Sequence, residues 1–239
     1  MRPIFLFALL LVTSANAQLG PEHRFVYPIS GAALCVHDVD GDGDGDVVRE
    51  AGGHLWIMEQ VTPGDFRTSD DLGLVGSVDR IRSGDLDGDG IDDLVFNDRT
   101  SGSVGWVRVL AGGAFAPLAT LVSGLTDVYD VRLADADGDL DLDLFHLSGT
   151  GTSSLGWSQN LGGGSFGSGG LVFSGGFSGG LLEWEGVFDV ADLDGDGDTD
   201  IASLGTPPVW YQNNGSGSFA AIPLTGGSDC NGLVLMDVD

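Results

Sequence analysis

The sequence predicts an all-β fold built from repeated four-stranded units, and three observations support this prediction. An alternating apolar run followed by an Asp-rich loop occurs five times, and no window shows the apolar spacing of an amphipathic helix. Gly accounts for 41 of the 239 residues, far above its usual share of about 7%. Because these Gly residues cluster between short β-rich runs, they indicate tight turns between strands.

The Asp-rich loops recur at a nearly constant spacing of 47, 50, 57 and 45 residues between their first aspartates. Each complete loop is followed by a Trp strand and then, after a Gly-rich turn, by a Phe strand. The aromatic residues are Trp56, Trp106, Trp157 and Trp210, and Phe66, Phe115, Phe166 and Phe219. A unit of this size with four strands corresponds to one blade of a β-propeller. A single sheet cannot bury its own faces, so we expect neighbouring blades to stack with these aromatic residues between them.

This pattern divides the chain into four complete repeats and the start of a fifth. We expect the repeats near residues 31–76, 77–125, 126–180, 181–226 and 227–239. Residues 24–31 resemble the strand that begins at Phe219, which predicts an orphan fourth strand that would complete the last blade of a closed ring. The sequence stops within the fifth loop, so we expect a partial chain; a naturally frayed end is the alternative.

Residues 1–17 have the features of a signal peptide. Arg2 precedes a short apolar run, and Ala15-Asn16-Ala17 matches a cleavage site, so the mature chain is expected to begin near Gln18. The apolar run is too short for a membrane span, although an uncleaved anchor is the alternative interpretation. The predicted location is therefore secreted, extracellular or at the cell surface, where calcium is plentiful and disulfides can form.

The net charge of −27 excludes several classes of partner. The chain has nine Arg and no Lys, so no basic face is available to neutralise nucleic-acid phosphates. An anionic membrane surface is disfavoured for the same reason. We expect an extracellular protein or polysaccharide as the partner, with no nucleic acid and no membrane span after removal of the signal.

The Asp-rich loops have the composition of a metal site. Numbered from its first Asp, each loop carries carboxylates at positions 1, 3, 5 and 9, because alternate residues of a tight loop can point towards one centre. These candidate ligands are Asp38, Asp40, Asp42 and Asp46 in the first loop, Asp85, Asp87, Asp89 and Asp93 in the second, Asp135, Asp137, Asp139 and Asp143 in the third, and Asp192, Asp194, Asp196 and Asp200 in the fourth.

Four carboxylates, a backbone carbonyl near position 7 and water suit Ca²⁺, which accepts about six to eight oxygens in flexible geometry. Magnesium requires octahedral geometry, and zinc would need His or Cys, neither of which recurs in the loops. A solvated acidic turn is the alternative, but four near-identical copies argue against it. An EF-hand is excluded, because position 12 holds no Glu and the flanking segments are strands.

Gly residues recur at fixed positions within the loops. Position 4 is Gly in all four complete loops, and position 6 is Gly in three of them. Such positions often require a positive φ angle. The third loop has Leu140 at position 6, which predicts a different geometry or affinity for that loop.

No pattern in the sequence supports catalysis, and we expect that the protein is not an enzyme. Residues 163–167 and 176–180 match G-x-S-x-G, but they lie in a Gly/Ser-rich stretch without the strand-turn-helix context of a nucleophile elbow. Glu183 and Glu185 flank Trp184, and this is a weak indication of a catalytic pair. Cys35 and Cys230 could form a disulfide, remain thiols or pair elsewhere.

The repeats resemble the FG-GAP/VCBS family, whose members include the propellers of integrin α-chains and many secreted bacterial proteins. The resemblance is carried by D-x-D-G-D-G-x-x-D and by W-x-x-N-x-G-x-G-x-F, as in Trp210 to Phe219, and covers nearly all of residues 24–239. It implies calcium loops on one rim of a propeller and a role in adhesion or ligand display. The chain lacks a clear F-G…G-A-P signature and is too short for a ring of about seven blades.

The resemblance leaves three functions open. The first is an adhesion or ligand-binding scaffold, with residues 162–180 of the third repeat as a candidate ligand-facing feature or, alternatively, a disordered insertion. The second is the propeller domain of a secreted carbohydrate-active enzyme. The third is a structural spacer of a larger surface protein.

Overall fold

The computed structural model describes residues 34–150, 153–174, 187–204 and 208–224. The predicted signal peptide, the predicted orphan strand and the fifth repeat lie outside these residues. Within the described part, the chain forms strands and no helix, so the all-β prediction is confirmed. It follows that this part of the chain has no long apolar helix of the kind that spans a membrane.

Four antiparallel sheets of four strands each follow one another along the chain. Sheet 1 contains β1 (Leu34–His37), β2 (Asp46–Ala51), β3 (His54–Thr62) and β4 (Asp65–Leu74). Sheet 2 contains β5 (Ile81–Gly84), β6 (Asp93–Asp98), β7 (Ser103–Val107) and β10 (Ala119–Val122), and its third strand continues into the small hairpin of β8 (Val109–Leu110) and β9 (Ala114–Phe115). Sheet 3 contains β11 (Val128–Ala134), β12 (Asp143–Ser148), β13 (Ser154–Ser158) and β14 (Leu171–Ser174). Sheet 4 contains β15 (Phe188–Ala191), β16 (Asp200–Ser203), β17 (Val209–Asn213) and β18 (Phe219–Pro223).

The Asp-rich loops all occupy the same place in their sheets. Each loop joins the first strand to the second, and the four first strands β1, β5, β11 and β15 contact one another in chain order. The sheets therefore stack face against face with their Asp loops at the same edge of the stack. Within the described residues the sheets do not form a closed ring.

The hydrophobic core lies between the sheets. Val48 and Ile57 of sheet 1 pack against Ile81 and Phe96 of sheet 2. Val95 of sheet 2 and Leu144 of sheet 3 belong to the next cluster. Phe145 of sheet 3 and Ile201 of sheet 4 belong to the cluster after that. Since side chains alternate between the two faces of a strand, each sheet contributes one face to each neighbour.

A Trp and a Gly from successive sheets form a recurring contact in this core. Gly164, in the turn of sheet 3, lies against the ring of Trp106 of sheet 2, and a Cβ at this position would overlap the ring. Gly217 lies in the same way against Trp157 of sheet 3. The Gly-rich turn of each of these repeats thus does more than reverse the chain, because it also admits the Trp of the preceding sheet.

The prediction that Trp56, like Trp106 and Trp157, packs against the following sheet is wrong. Val95 pairs with Trp106 and Phe145 pairs with Trp157, but the corresponding Val48 pairs with Ile57. Ile57 therefore takes the inter-sheet position. Trp56 is one residue out of register and lies on the opposite face, where its Nε1 donates to the carbonyl of Ala51. A shift of one residue reverses the direction of every side chain in a strand.

A solvent-open cleft of about 210 Å³ lies between sheets 1 and 2, beside Ile57. Ile57 and Gly113 both line it, and Gly113 corresponds to the Gly residues that contact Trp106 and Trp157. Its polar lining includes Asp40, Glu59 and Asp70. Where Gly164 and Gly217 meet a Trp ring, Gly113 instead meets Asp40 of the first loop.

Candidate metal centre

The first Asp of each loop organises the loop backbone. In the second loop, Oδ1 of Asp85 accepts a hydrogen bond from the amide of Gly88 and Oδ2 accepts one from Gly90, both at 2.8 Å. The equivalent bonds occur in the other three loops at 2.7 to 3.0 Å. Gly88 and Gly90 have φ angles of 77° and 86°, which a residue without Cβ adopts without strain. These bonds close the loop around the carboxylate at position 1.

The third loop keeps this geometry in spite of its substitution at position 6. Leu140 has a φ angle of 74°, and its amide donates to Oδ2 of Asp135 at 2.9 Å. The alternative of a different loop geometry is therefore wrong, and a different affinity stays a prediction. The backbone accepts the strain of a left-handed Leu, and the side chain extends into solvent, 90% exposed.

The Asp at position 9 connects the loop to the sheet. Asp143 is fully buried; its Oδ2 accepts from the amide of Ala136, and its Oδ1 accepts from the amide of Asn160, two residues after the end of the third strand β13. Asp46, Asp93 and Asp200 make the same pair of bonds. Burial raises the pKa of Asp93 and of Asp143 to about 6, and the backbone donors oppose this rise only in part.

The structure brings three carboxylates together in every described loop. In the second, third and fourth loops, oxygens of positions 1, 3 and 9 lie within 4.8 Å of one another. In the first loop the corresponding group consists of positions 1, 3 and 5, namely Asp38, Asp40 and Asp42. Asp46 of the first loop and the position-5 residues Asp89, Asp139 and Asp196 do not belong to these groups.

Three buried carboxylate oxygens in the described loops accept no hydrogen bond. One is Oδ2 of Asp87 in the second loop, whose contact is an ion pair with Arg108. Oδ1 of Asp137, at position 3 of the third loop, and Oδ1 of Asp44, at position 7 of the first, find no partner in the described structure. Burial and then the neighbouring aspartates raise the pKa of Asp137. Unpaired oxygens among several carboxylates fit a hard cation with oxygen ligands, and the absence of His and Cys from these groups disfavours zinc.

Asn side chains at the end of the third strand or two residues beyond it complete the surroundings of the loops. Nδ2 of Asn160 donates to the carbonyl of Leu86, which is position 2 of the loop in the preceding sheet, at 2.8 Å. Nδ2 of Asn213 donates in the same way to Ala136 at 2.8 Å. Each Asn therefore joins its own sheet to the loop of the preceding one. The sequence contains a signal for this role, because Gln and Asn recur two and three residues after Trp157 and Trp210. Spacing alone does not show which loop the Asn reaches.

The other candidate residues from the sequence lie outside the Asp loops, and several of them lie outside the described residues. The whole of the second G-x-S-x-G match, residues 176–180, lies outside the described residues, as do Glu183, Glu185 and Cys230. Cys35 is on β1, and burial raises the pKa of its thiol. The candidate residues that the structure does bring together are thus those of the Asp loops.

The C-terminal part of the chain matches a known repeat. Residues 192–239 match the family model described as the FG-GAP-like repeat, so the predicted resemblance is confirmed there. No curated protein matches the chain.

Two solved structures are similar to the chain. The structure of a lectin from Agrocybe aegerita, which specifically recognises non-reducing terminal N-acetylglucosamine, has 22% identity to this chain and a TM-score of 0.57. The match covers 89% of this chain and 54% of the lectin, so the chain spans about half the length of that protein. The V. cholerae biofilm matrix protein Bap1 has 18% identity and a TM-score of 0.45 over 85% of this chain and 32% of Bap1. The lectin supports the fold, whereas the second score is too low to establish one.

Proposed function

We propose that this chain, whose residues 192–239 match an FG-GAP-like repeat, is a secreted calcium-binding scaffold of β-propeller blades that serves in adhesion or ligand binding. The observation that carries the proposal is the common geometry of the four Asp loops. In each one, three carboxylates converge at the same edge of consecutive sheets. One such cluster would be unremarkable for a surface, but four copies at one structural position require a shared cause.

Calcium would be held by the carboxylates at positions 1, 3, 5 and 9 of each loop. When bound, it would offset the mutual repulsion of these groups and connect the exposed part of the loop to the buried Asp at position 9. Extracellular calcium modules have dissociation constants of about 10⁻⁴–10⁻³ M. A tenfold excess of calcium over such a constant would stabilise the fold by about 1.4 kcal/mol per site.

The ligand would be an extracellular polysaccharide or protein. The lectin with a similar fold supports the polysaccharide, because that lectin recognises non-reducing terminal N-acetylglucosamine. The strong negative charge of the chain disfavours an anionic polymer. Rigid sheets joined by loops of different length provide a surface on which such recognition commonly occurs. The proposal includes no catalytic step.

Thermal unfolding in calcium, magnesium and a chelator tests the metal part of the proposal. We expect calcium to raise the melting temperature more than magnesium does, and the chelator to reverse the effect. Asp137→Asn, which alters the unpaired oxygen of the third loop, should reduce the calcium response. Asp65→Asn is the matched control, because this exposed Asp lies on β4, outside the four loops. A melting temperature that is the same in calcium and in chelator would contradict the proposal.

Binding of the calcium-loaded protein to arrays of glycans and extracellular matrix proteins tests the recognition part. Glycans that end in N-acetylglucosamine are included together with the same glycans lacking this terminal sugar. We expect retention in calcium that is lost in chelator. A calcium-stabilised chain that binds neither array would instead favour the structural spacer.

A further inference from the structure

The residue before the inter-sheet Asn contacts position 3 of its own Asp loop. In sheet 3, Nε2 of Gln159 donates to Oδ2 of Asp137 at 2.5 Å. In sheet 4, Nε2 of Gln212 donates to Oδ2 of Asp194 at 2.6 Å. A neutral amide therefore occupies one oxygen of the carboxylate and leaves its charge uncompensated.

In sheet 2, the residue equivalent to Gln159 and Gln212 is the cationic Arg108. Nε of Arg108 forms an ion pair with Oδ2 of Asp87, and Nη2 donates to Oδ2 of Asp89 at 3.2 Å. The side chain of Asp87 is 4% exposed, so the guanidinium covers a nearly buried carboxylate. Positions 3 and 5 of the second loop are thus both paired with one Arg. No other described loop has an ion pair with Arg at these positions.

The remaining charges of the second loop are also arranged differently. Position 7 is Asp44, Asp141 or Asp198 in the other loops but Ile91 in the second. The second loop has Asp92 at position 8 instead, and its carboxylate lies 3.9 Å from Nδ1 of His37 in sheet 1. The second loop therefore lacks the position-7 carboxylate of the other loops, and its additional carboxylate faces His37 of sheet 1.

From these contacts we infer that Arg108 serves as a built-in counter-cation of the second loop, which makes this loop the weakest calcium site of the four. The inference rests on the proposed calcium binding. The guanidinium and a divalent cation compete for the same oxygens of Asp87 and Asp89, and the two cations repel each other at this distance. The second loop is consequently held by an internal ion pair, whereas the third and fourth loops depend on the metal. Affinity in such loops follows the number of charges offered to the ion.

Calorimetric titration of calcium into the full chain and into two reciprocal variants tests the inference. Arg108→Gln gives the second loop the residue found in sheets 3 and 4, and we expect one additional site, with affinity increased roughly tenfold or more. Gln159→Arg gives the third loop the residue of sheet 2, and we expect one site fewer in the same concentration range. Arg67→Gln is the control for net charge, because the Arg67 side chain is 70% exposed and pairs with Asp65 outside the loops.

Thermal unfolding of the same variants supplies a second measurement. In chelator, Arg108→Gln should melt below the wild type, because the ion pair is lost, and it should gain more from calcium than the wild type does. Unchanged titrations in both reciprocal variants would overturn the inference and leave the calcium scaffold intact. If Arg108→Gln does not fold, the loss or retention of a site in Gln159→Arg decides the question. Absence of any calcium binding in the wild type would instead refute the proposed function.

Discussion

The interface between sheets 3 and 4 and the interface between sheets 1 and 2 are built from the same positions with different residues. Between sheets 3 and 4, Trp157 packs against Gly217, and Asn213 donates to the carbonyl of Ala136 in the neighbouring loop. Between sheets 1 and 2, the Trp position is Ile57 and the Asn position is Val109. A Trp ring and an Asn side chain thus bridge the first interface, whereas an open cleft of about 210 Å³ lies at the second.

This comparison shows which parts of the repeat each interface requires. The bonds of the position-9 Asp are present in all four sheets, so the loop geometry does not depend on Trp or Asn. Trp, Gly and Asn instead determine how firmly one sheet is attached to the next. Since stability in stacked repeats depends on nearest-neighbour interfaces, we expect sheet 1 to be attached to sheet 2 less firmly than sheet 4 is to sheet 3.

The largest effect is expected for Gly217→Ala. The added Cβ would overlap the Trp157 ring, and Gly217 has a φ angle of 68°. Overpacking and left-handed strain together should lower the free energy of unfolding by about 3 kcal/mol or more. Denaturant unfolding at constant calcium measures this loss.

Gly112→Ala is the matched control for that substitution. Gly112 has a φ angle of 82°, and a Cβ there would meet nothing within 4 Å, so only the backbone strain of about 1 kcal/mol remains. Equal losses in the two variants would mean that the Trp157 contact is not tight, and the contrast between the two interfaces would lose its main support.

The sequence predicted the units of the fold but not how they attach to one another. Alternating runs and Asp loops indicated the four sheets, because strand alternation and turn composition are local properties. The displacement of Trp56 by one residue could not be predicted, because Ile57 and Trp56 are both acceptable in a strand and only the pairing with Val48 selects between them. The role of Asn213 was equally hidden, since its partner Ala136 is 77 residues away.

An intermediate effect is expected for Asn213→Ala. Asn213 is buried, and its Nδ2 donates to the carbonyls of Ala136 and Thr199. Its removal leaves buried acceptors without donors, which should cost about 2 kcal/mol of unfolding free energy. Ser218→Ala is the control, because this exposed residue lies in the following turn, and its substitution should change stability by less than about 0.5 kcal/mol. A loss that Ser218→Ala reproduces would show that the Asn213 bond does not hold the interface.

The smallest expected effect is a pH dependence of the folding stability. It follows from a comparison of two side-chain rings at equivalent positions of the second strand in sheets 2 and 3. Phe96 of sheet 2 lies over Gly105, and His146 of sheet 3 lies over Gly156. Burial lowers the pKa of His146 from 6.5 to about 4. The folded protein therefore binds this proton less readily than the unfolded chain, and stability present above pH 6.5 is lost as the pH falls towards 4.

His146→Phe should remove this dependence, since it gives sheet 3 the ring found in sheet 2. Between pH 7.5 and 4.5, the variant should gain about 2 kcal/mol relative to the wild type, a value below the full conversion of the shift because the ring is partly exposed. Asp93 and Asp143, whose raised pKa values act in the opposite direction over this range, are present in both proteins, so the difference between them isolates His146. A constant difference at all pH values would mean that the His146 ring is hydrated in the folded state, and that the interface between sheets 2 and 3 admits water where the one between sheets 1 and 2 holds Phe96.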